Sequence, residues 1–295
     1  AQKLESSLLQ IANLTYKAQN LDTFFKSLHV IIDSLLNASN FFIALYDKKE
    51  DVLDFVYTVE GGVQTNTHKI ISKDQLKETA SYYLLINERP LLLNKEQYRH
   101  YIEQGHFKLV GELADSWLGV PYKVNERMSG VIVVQSYDKQ HYYNEHDSSL
   151  LTYVSRQISM VIDRHLARQE LEHKALHDEL TGLANRSLLI ERMKHAILRL
   201  NRAKKGTFHA LLYLDFDRFK SINDSLGHEV GDHFLIAICK LITQTVRNTD
   251  TFSRLGGDEF AIFMENLSHR DQVNDALARI KTALSDPIDI DGHLL

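Results

Sequence analysis

Apolar positions in the first half of the chain switch between a helical and an extended period. Leu4, Leu8, Ile11 and Ala12 recur at helical spacing, as do Phe25, Leu28, Ile32 and Leu35 behind a candidate N-cap at Asp22. These two helices are predicted to pack on a sheet. Its first strands are Phe41 to Tyr46 and Val52 to Val59, joined by the polar hairpin loop Asp47 to Asp51. A helix near Lys73 to Ile86 and a strand at Pro90 to Leu93 follow, whereas the polar, mixed segment 95–115 predicts no element. Trp117 to Val124 and Gly130 to Tyr137 form a second hairpin around Asn125 to Ser129. This order predicts an antiparallel sheet flanked by helices.

A long helix comes next, from Ser148 to His177, with Asp147 as its expected N-cap. Leu151, Val154, Ile158, Val161 and Ile162 form an apolar stripe that becomes sparse and charged from Arg164 onward. At about 1.5 Å per residue the span reaches roughly 45 Å, enough for a stalk between two domains. A one-sided stripe needs a partner, and a second copy of the same helix is the simplest, so a parallel homodimer is expected. His173 and His177 stand one turn apart, but no third metal ligand is near them in sequence and they read as a solvated face.

Ser187 to Leu200 is again amphipathic and carries Arg192, Lys194 and Arg199, with Arg202, Lys204 and Lys205 just beyond. Such a run suits a solvated face or attracts nucleotide. Ala210 to Leu214 reads as a buried strand of a parallel or mixed sheet, with Asp215 at its end. A loop over 216–231 then leads to a helix from Asp232 to Arg247, whose buried face is Phe234, Leu235, Ile238, Leu241, Ile242 and Val246. Two apolar runs, Thr251 to Leu255 and Phe260 to Met264, flank Gly256-Gly257, where a two-residue hairpin turn is expected. The class is α+β, and the second half is of the kind seen in polymerase palms and nucleotide cyclases.

Length and composition add limits. The 295 residues suit two domains, and 44% apolar content fills a core in each. A formal net charge of -5 gives no bias toward nucleic acid or an anionic membrane. The one cysteine, Cys239, excludes an intramolecular disulfide, fits a reducing cytoplasm and reads as a core residue of an apolar helix. No run of about 18 apolar residues occurs, so no membrane span is predicted. The chain opens Ala1-Gln2-Lys3 without an initiating Met and closes at Asp291-Gly-His-Leu-Leu295, as expected of a piece of a longer protein.

The acidic residues around the glycine pair carry the chemistry. Asp258 and Glu259 fall at the mouth of the second strand, beside backbone that Gly257 leaves open to a ligand. If the Asp215 strand pairs with this hairpin, Asp215 and Asp258 lie close together. Two carboxylates ~4 Å apart repel by about 4 kcal/mol at an effective dielectric near 20, so one is protonated unless a cation stands between them. Hard oxygen ligands with room for water suit Mg²⁺ or Mn²⁺, and a divalent ion beside a glycine turn suggests phosphate. A bare Gly-Gly-Asp-Glu is more often an ordinary solvated hairpin, so the surrounding residues decide.

Those residues are Asp178-Glu-Leu-Thr-Gly-Leu-Ala-Asn185-Arg186, Asp215-Phe-Asp-Arg-Phe219-Lys220-Ser-Ile-Asn223-Asp224, Gly227-His228-Glu-Val-Gly231-Asp232 and Gly256 to Phe260. In order and spacing they resemble the GGDEF family of diguanylate cyclases, which join two GTP molecules into cyclic di-GMP. The resemblance implies that Asp215, the Phe216 carbonyl and Asp258 ligate the metals, with Asp258 also the proton acceptor and Glu259 shaping the metal site. It further implies guanine contacts from Asn223 and Asp232, a nucleotide contact from His228, and phosphate contacts from Phe219, Lys220 and the loop around them. Arg247-Asn-Thr-Asp250 matches the family's RxxD product-inhibition site. Each such domain binds one GTP and the bond forms between two facing domains, so control of the dimer is control of activity.

The first half resembles a GAF domain, through Ser116-Trp-Leu-Gly-Val-Pro121, Gly130-Val-Ile-Val-Val-Gln135 and the long helix after them, with a PAS sensor as runner-up. That implies sensing or dimerisation, with Tyr82, Tyr83, Trp117 and Tyr122 as candidates to line the pocket of an unknown small molecule. The expected organisation is a GAF-like domain with an N-terminal helix over 1–165, a helical signalling linker over 148–177 and a GGDEF domain over 178–295. The family continues past this chain end with a strand bearing a Ser-Ile-Gly type motif and a helix that holds the terminal phosphate. Asp286-Pro-Ile-Asp-Ile-Asp-Gly-His293 resembles GGDEF domains that precede an EAL phosphodiesterase. A non-catalytic module that binds GTP or cyclic di-GMP and controls such a domain is therefore the alternative. A polymerase or RNA-binding palm would need a basic groove with interleaved aromatics, which is lacking.

Overall fold

The computed structural model describes residues 2–65, 68–200 and 206–295; Arg202, Lys204 and Lys205 of the basic run lie outside the described residues. The chain divides into two compact units, the first ending at Arg168 and the second starting at Gln169. Among the described residues no helix is long and apolar enough to cross a membrane.

The first unit opens with α1 (Gln2–Lys17) and α2 (Leu21–Leu36). Asn20, not Asp22, caps α2: its side chain accepts from the Thr23 amide at 3.0 Å, which leaves Asp22 inside the first turn. Strands β1 (Asn40–Asp47), β2 (Val52–Glu60), β3 (Val63–Gln64) and β4 (Lys69–Ile71) follow. The helix predicted over 73–86 is two, α3 (Lys73–Leu76) and α4 (Ala80–Asn87), because the Thr79 hydroxyl accepts from the Tyr82 amide at 3.1 Å and starts a new helix. After β5 (Leu91–Asn94), the segment without a sequence signal begins with α5 (Lys95–Glu103), set by a capping box between Asn94 and Gln97.

Strands β6 (Ser116–Lys123) and β7 (Met128–Ser136) lead to the long helix α6 (Glu145–Leu176). Its cap is Asn144, whose side chain accepts from the His146 and Asp147 amides at 2.8 and 3.3 Å. Asp147, the expected cap, instead accepts from the Asn144 amide at 2.9 Å and closes the loop reciprocally.

The sheet runs β3-β2-β1-β7-β6-β5, with β4 also on β2 and antiparallel pairing throughout. Both faces are covered. Phe25, Leu28, Ile32, Val154 and Ile158 from α2 and α6 pack with Phe41, Ile132 and Val134 on one side; Leu84, Tyr98 and Phe107 pack with Trp117, Val131 and Val133 on the other. Burial on two faces explains why β6 and β7 read as unbroken apolar runs without alternation. Gly130 belongs to that packing, since a Cβ there would lie 2.4 Å from the Ala44 carbonyl oxygen. The Tyr122 hydroxyl, buried below it, donates to the same oxygen at 3.2 Å.

The second unit takes in the end of α6 from Gln169. It continues with α7 (Arg186–Leu200), β8 (Phe208–Asp215), α8 (Phe219–Leu226), α9 (His228–Thr243), β9 (Thr251–Gly256), β10 (Glu259–Leu267), α10 (Asp271–Ala283) and the small hairpin β11 (Asp289–Ile290) and β12 (His293–Leu294). Its main sheet is β8-β10-β9, with both pairings antiparallel, which corrects the parallel or mixed sheet read from the sequence. Strand β10 is central and buried on both faces. Phe260, Ile262 and Met264 pack with α9 and α10, while Ala261 and Phe263 pack with Leu189 and Ala196 of α7. Strand β8, expected to be buried, has only β10 beside it among the described residues, and Leu211 and Tyr213 are 41% and 62% exposed.

The expected loop 216–231 also differs. It contains α8, and α9 starts at His228 and ends at Thr243, each four residues earlier than the predicted 232–247. Gly227, at φ 92, supplies the left-handed break that lets one helix end and the next begin at once. Gly231 was expected before the helix but lies in its first turns.

Candidate active site

Register decides which acids meet. Strand β9 extends through Gly256, which pairs with Glu259, so the turn is Gly257-Asp258 and not Gly256-Gly257. Gly257 takes φ 57, as the first central residue of such a turn requires. The β8–β10 register puts Asp215 directly opposite Glu259. Directly paired antiparallel residues share a face, with Cβ atoms about 5 Å apart. The partner across from Asp215 is thus Glu259, while Asp258 stands beside it in the turn, a correction to the strand-mouth placement. A bulge at Glu259/Phe260 on the β9 side absorbs the one-residue difference.

Asp215 and Glu259 are exposed and Asp258 half-buried. No three His, Cys, Asp or Glu side chains close into a metal cage among the described residues. An open group of hard oxygens fits Mg²⁺ or Mn²⁺, which keep several waters and need only one or two carboxylates. Of the Phe216 carbonyl's two lone pairs, one accepts from the Phe219 amide at 3.3 Å, which leaves the other for a ligand.

The loop after β8 is held by its aromatic rings. Phe216 meets Phe260 and Phe234 at centroid distances of 5.4 and 6.2 Å, and buried Phe219 stacks on Phe234 at 6.1 Å. Lys220, His228 and Asp232 are exposed on α8 and α9. Asn223 is different: its Oδ1 is buried and has no hydrogen-bond partner. It lies against Gly231, where an added Cβ would fall 1.9 Å from Oδ1. Gly231 therefore creates the seat that the Asn223 amide occupies.

Sequence reasoning missed the group that fixes the turn. Arg254 donates through Nη1 to both carboxylate oxygens of Asp178, at 3.0 and 3.2 Å, and through Nε to the Gly257 carbonyl at 2.9 Å. Asp178 also accepts from the Thr181 amide and hydroxyl at 2.9 and 2.7 Å. Burial pushes the Asp178 carboxyl up, but Thr181 and Arg254 outweigh it and hold it below the usual carboxylate range. The available signal was an arginine inside an otherwise uncharged strand.

Arg247 and Asp250 share a tight turn, with the Asp250 amide donating to the Arg247 carbonyl at 2.9 Å. Arg247 is exposed, and Asp250 Oδ1 accepts from the Glu265 amide at 3.2 Å. Of the α7 cations, Arg192 donates to the Thr251 hydroxyl at 3.1 Å and Arg199 pairs with Glu265 at 2.8 Å. His173 and His177 stack at 4.1 Å, and no metal-ligating group of three forms around them among the described residues. Cys239 is buried and its thiol pushed up to about 12 by that burial, as a core residue.

In the first unit a cavity of about 660 Å³ has Phe42, Phe55, Tyr98 and Trp117 in its wall, with Lys69 and Gln135 also lining it. Of the four aromatics expected to line a pocket, Trp117 lines this cavity and Tyr122 lines a separate one of about 430 Å³ beside Pro121 and Ser155. Tyr122 is buried under β7, and Tyr83 packs on Tyr101, His106 and Phe107.

A family model for GAF domains matches residues 20–162, and one described as diguanylate cyclase, GGDEF domain, matches residues 175–295. The chain is thus a GAF domain followed by a GGDEF domain. The second domain, residues 175–295, is of the diguanylate cyclase, GGDEF type. The bifunctional diguanylate cyclase/cyclic di-GMP phosphodiesterase MucR of Pseudomonas aeruginosa is 41% identical over 127 residues, 43% of this chain and 18% of that protein. Diguanylate cyclase DgcS of Shewanella oneidensis is 40% identical over 101 residues, 34% of this chain and 33% of that protein. The solved coiled coil and GGDEF domain of DgcB from Caulobacter crescentus, in complex with c-di-GMP, is 25% identical, with a TM-score of 0.43 over 48% of this chain and 73% of that one. The chain spans well under two thirds of both curated relatives.

Gly231→Ala should cost about 1–2 kcal/mol in chemical denaturation, because the Asn223 amide must leave its seat. On an Asn223→Ala background the same change should be neutral or stabilising, since alanine is the better helix former by about 1 kcal/mol. Equal costs on both backgrounds would dissociate the two residues.

Proposed function

We propose that the second unit condenses two GTP molecules into cyclic di-GMP and pyrophosphate. The observation that carries this reading is Asp215 facing Glu259 across β8 and β10, with Asp258 in the adjoining turn. Asp215, Asp258 and the Phe216 carbonyl would hold Mg²⁺ or Mn²⁺, with Glu259 shaping that site. Such an ion, when bound, neutralises triphosphate charge and makes the attacking hydroxyl more acidic.

Asp258 accepts the proton of the 3′-hydroxyl. That oxygen bonds to the α-phosphorus of the opposed GTP, the bond to the β-phosphate oxygen breaks, and pyrophosphate leaves; a second such step closes the ring. Asn223 and Asp232 read the guanine edge, whose N1 and N2 hydrogens suit a carbonyl and a carboxylate acceptor. The buried, unpartnered Oδ1 of Asn223 supports this role. His228 adds a nucleotide contact. The Phe219 amide region and the Lys220 ammonium face phosphate oxygens, and Gly257 leaves the backbone open to them.

A small molecule in the cavity of about 660 Å³ supplies the input signal. The GAF domain and the linker helix hold two copies together, which opposes their nucleotide sites. A GTP-consuming reaction and a single buried thiol suit the cytoplasm, and an EAL domain downstream would consume the product.

Full-length protein incubated with GTP and Mg²⁺ should form cyclic di-GMP, and Asp258→Ala should lower the rate by at least about 100-fold. Binding of GTP without turnover by the wild type would instead favour the regulatory module. Equilibrium sedimentation should give a dimer at micromolar concentration, and a monomer there would count against helix-mediated pairing. Cyclic di-GMP bridging Arg247 and Asp250 would hold the domains apart, so Arg247→Ala should weaken product binding by roughly tenfold or more in calorimetry. Unchanged affinity would remove that site.

A further inference from the structure

We propose that Arg254 is a positioning residue for the acid hairpin, and that with Asp178 it ties the end of α6 to the Gly257-Asp258 turn. The inference rests on the cyclase reading for its kinetic consequence only. Glycine pairs leave a turn with many accessible conformations, so Asp258 needs an external constraint to hold one orientation. The Nε bond to the Gly257 carbonyl supplies it, because that carbonyl belongs to the peptide plane that enters Asp258.

Arg254 is itself fixed. Its side chain is 11% exposed and that of Asp178 21%, and the Nη1 bonds to both oxygens hold the guanidinium plane. A partly buried ion pair is sensitive to loss of either member, since the remaining charge is left without its partner. Asp178 in turn is bound by Thr181, and its amide donates to the Leu183 carbonyl at 2.8 Å.

The same turn is joined to α6. The Asn185 amide donates to the Leu176 carbonyl at 2.9 Å and its Nδ2 to the Ala175 carbonyl at 2.8 Å. The Arg254 amide donates to the Ala184 carbonyl at 3.0 Å. An unbroken set of hydrogen bonds therefore runs from the last turn of α6 through residues 178–185 to the carbonyl beside Asp258. Displacement of the helix end reaches the acid turn through Arg254, with no change needed in the nucleotide-reading helices.

The test uses the full chain with Arg254→Lys, Arg254→Ala, Asp178→Asn and the double variant Arg254→Ala/Asp178→Asn. Amide hydrogen exchange over residues 255–260, referenced to α9, reads the turn directly. Each single change should speed exchange there by about tenfold while α9 stays protected. The double variant should exchange no faster than the worse single one. In the same samples kcat should fall roughly 10- to 100-fold with KM for GTP within about threefold, and Arg254→Lys, which keeps charge but loses the fork, should fall between wild type and alanine.

If Arg254→Ala fails to fold, Arg254→Lys and Asp178→Asn carry the test. Unchanged exchange in these variants overturns the inference, as does an unchanged kcat in an active protein. A wild type without turnover, but with the exchange pattern intact, overturns the cyclase reading and leaves the clamp standing.

Discussion

Backbone pairing on both sides of β10 is the constraint on which the second unit depends. The strand buries Phe260 through Met264, and its two neighbours reach it by antiparallel ladders whose registers are independent. A slip of one residue in either ladder would send buried side chains to the opposite face, so the core holds both registers firmly. The acids inherit that accuracy. Asp215 and Glu259 meet because Phe260 and Ile262 are buried with Leu214 and Leu212 packed beside them, not because the carboxylates attract.

Packing on the other side of the site follows the same logic with helices. Phe216, Phe219 and Phe234 hold the loop after β8 against α9, and Gly231 lets α8 approach α9 so closely that the Asn223 amide sits where a side chain at 231 would otherwise be. An unsatisfied buried acceptor costs free energy in the unliganded fold. The surrounding aromatic contacts offset that cost.

Much of this was legible in the sequence, but not evenly. Apolar runs set off by polar loops located the first unit's antiparallel sheet, and helical spacing located the long helix, because those signals depend on local burial. Strand β8 misled, since Ala210 to Leu214 is uniformly apolar although one of its faces is open; composition alone does not show how many neighbours a strand has. The turn moved by one residue because either glycine pair position satisfies the φ requirement, and only the cross-strand ladder separates them. Asn144 was missed as a cap in favour of Asp147, since both members of a reciprocal cap are good cap residues. Arg254 was unassigned because its partner, Asp178, is far away in sequence.

Cys239 offers a practical consequence. It is the chain's one thiol, it lies on α9 inside the second unit's core, and burial keeps it protonated at neutral pH. A thiol-reactive dye would therefore stay silent on the native protein and label it only when that core opens. The rate of labelling becomes a native clock for breathing of the GGDEF unit alone, blind to events in the GAF domain and requiring no engineered probe.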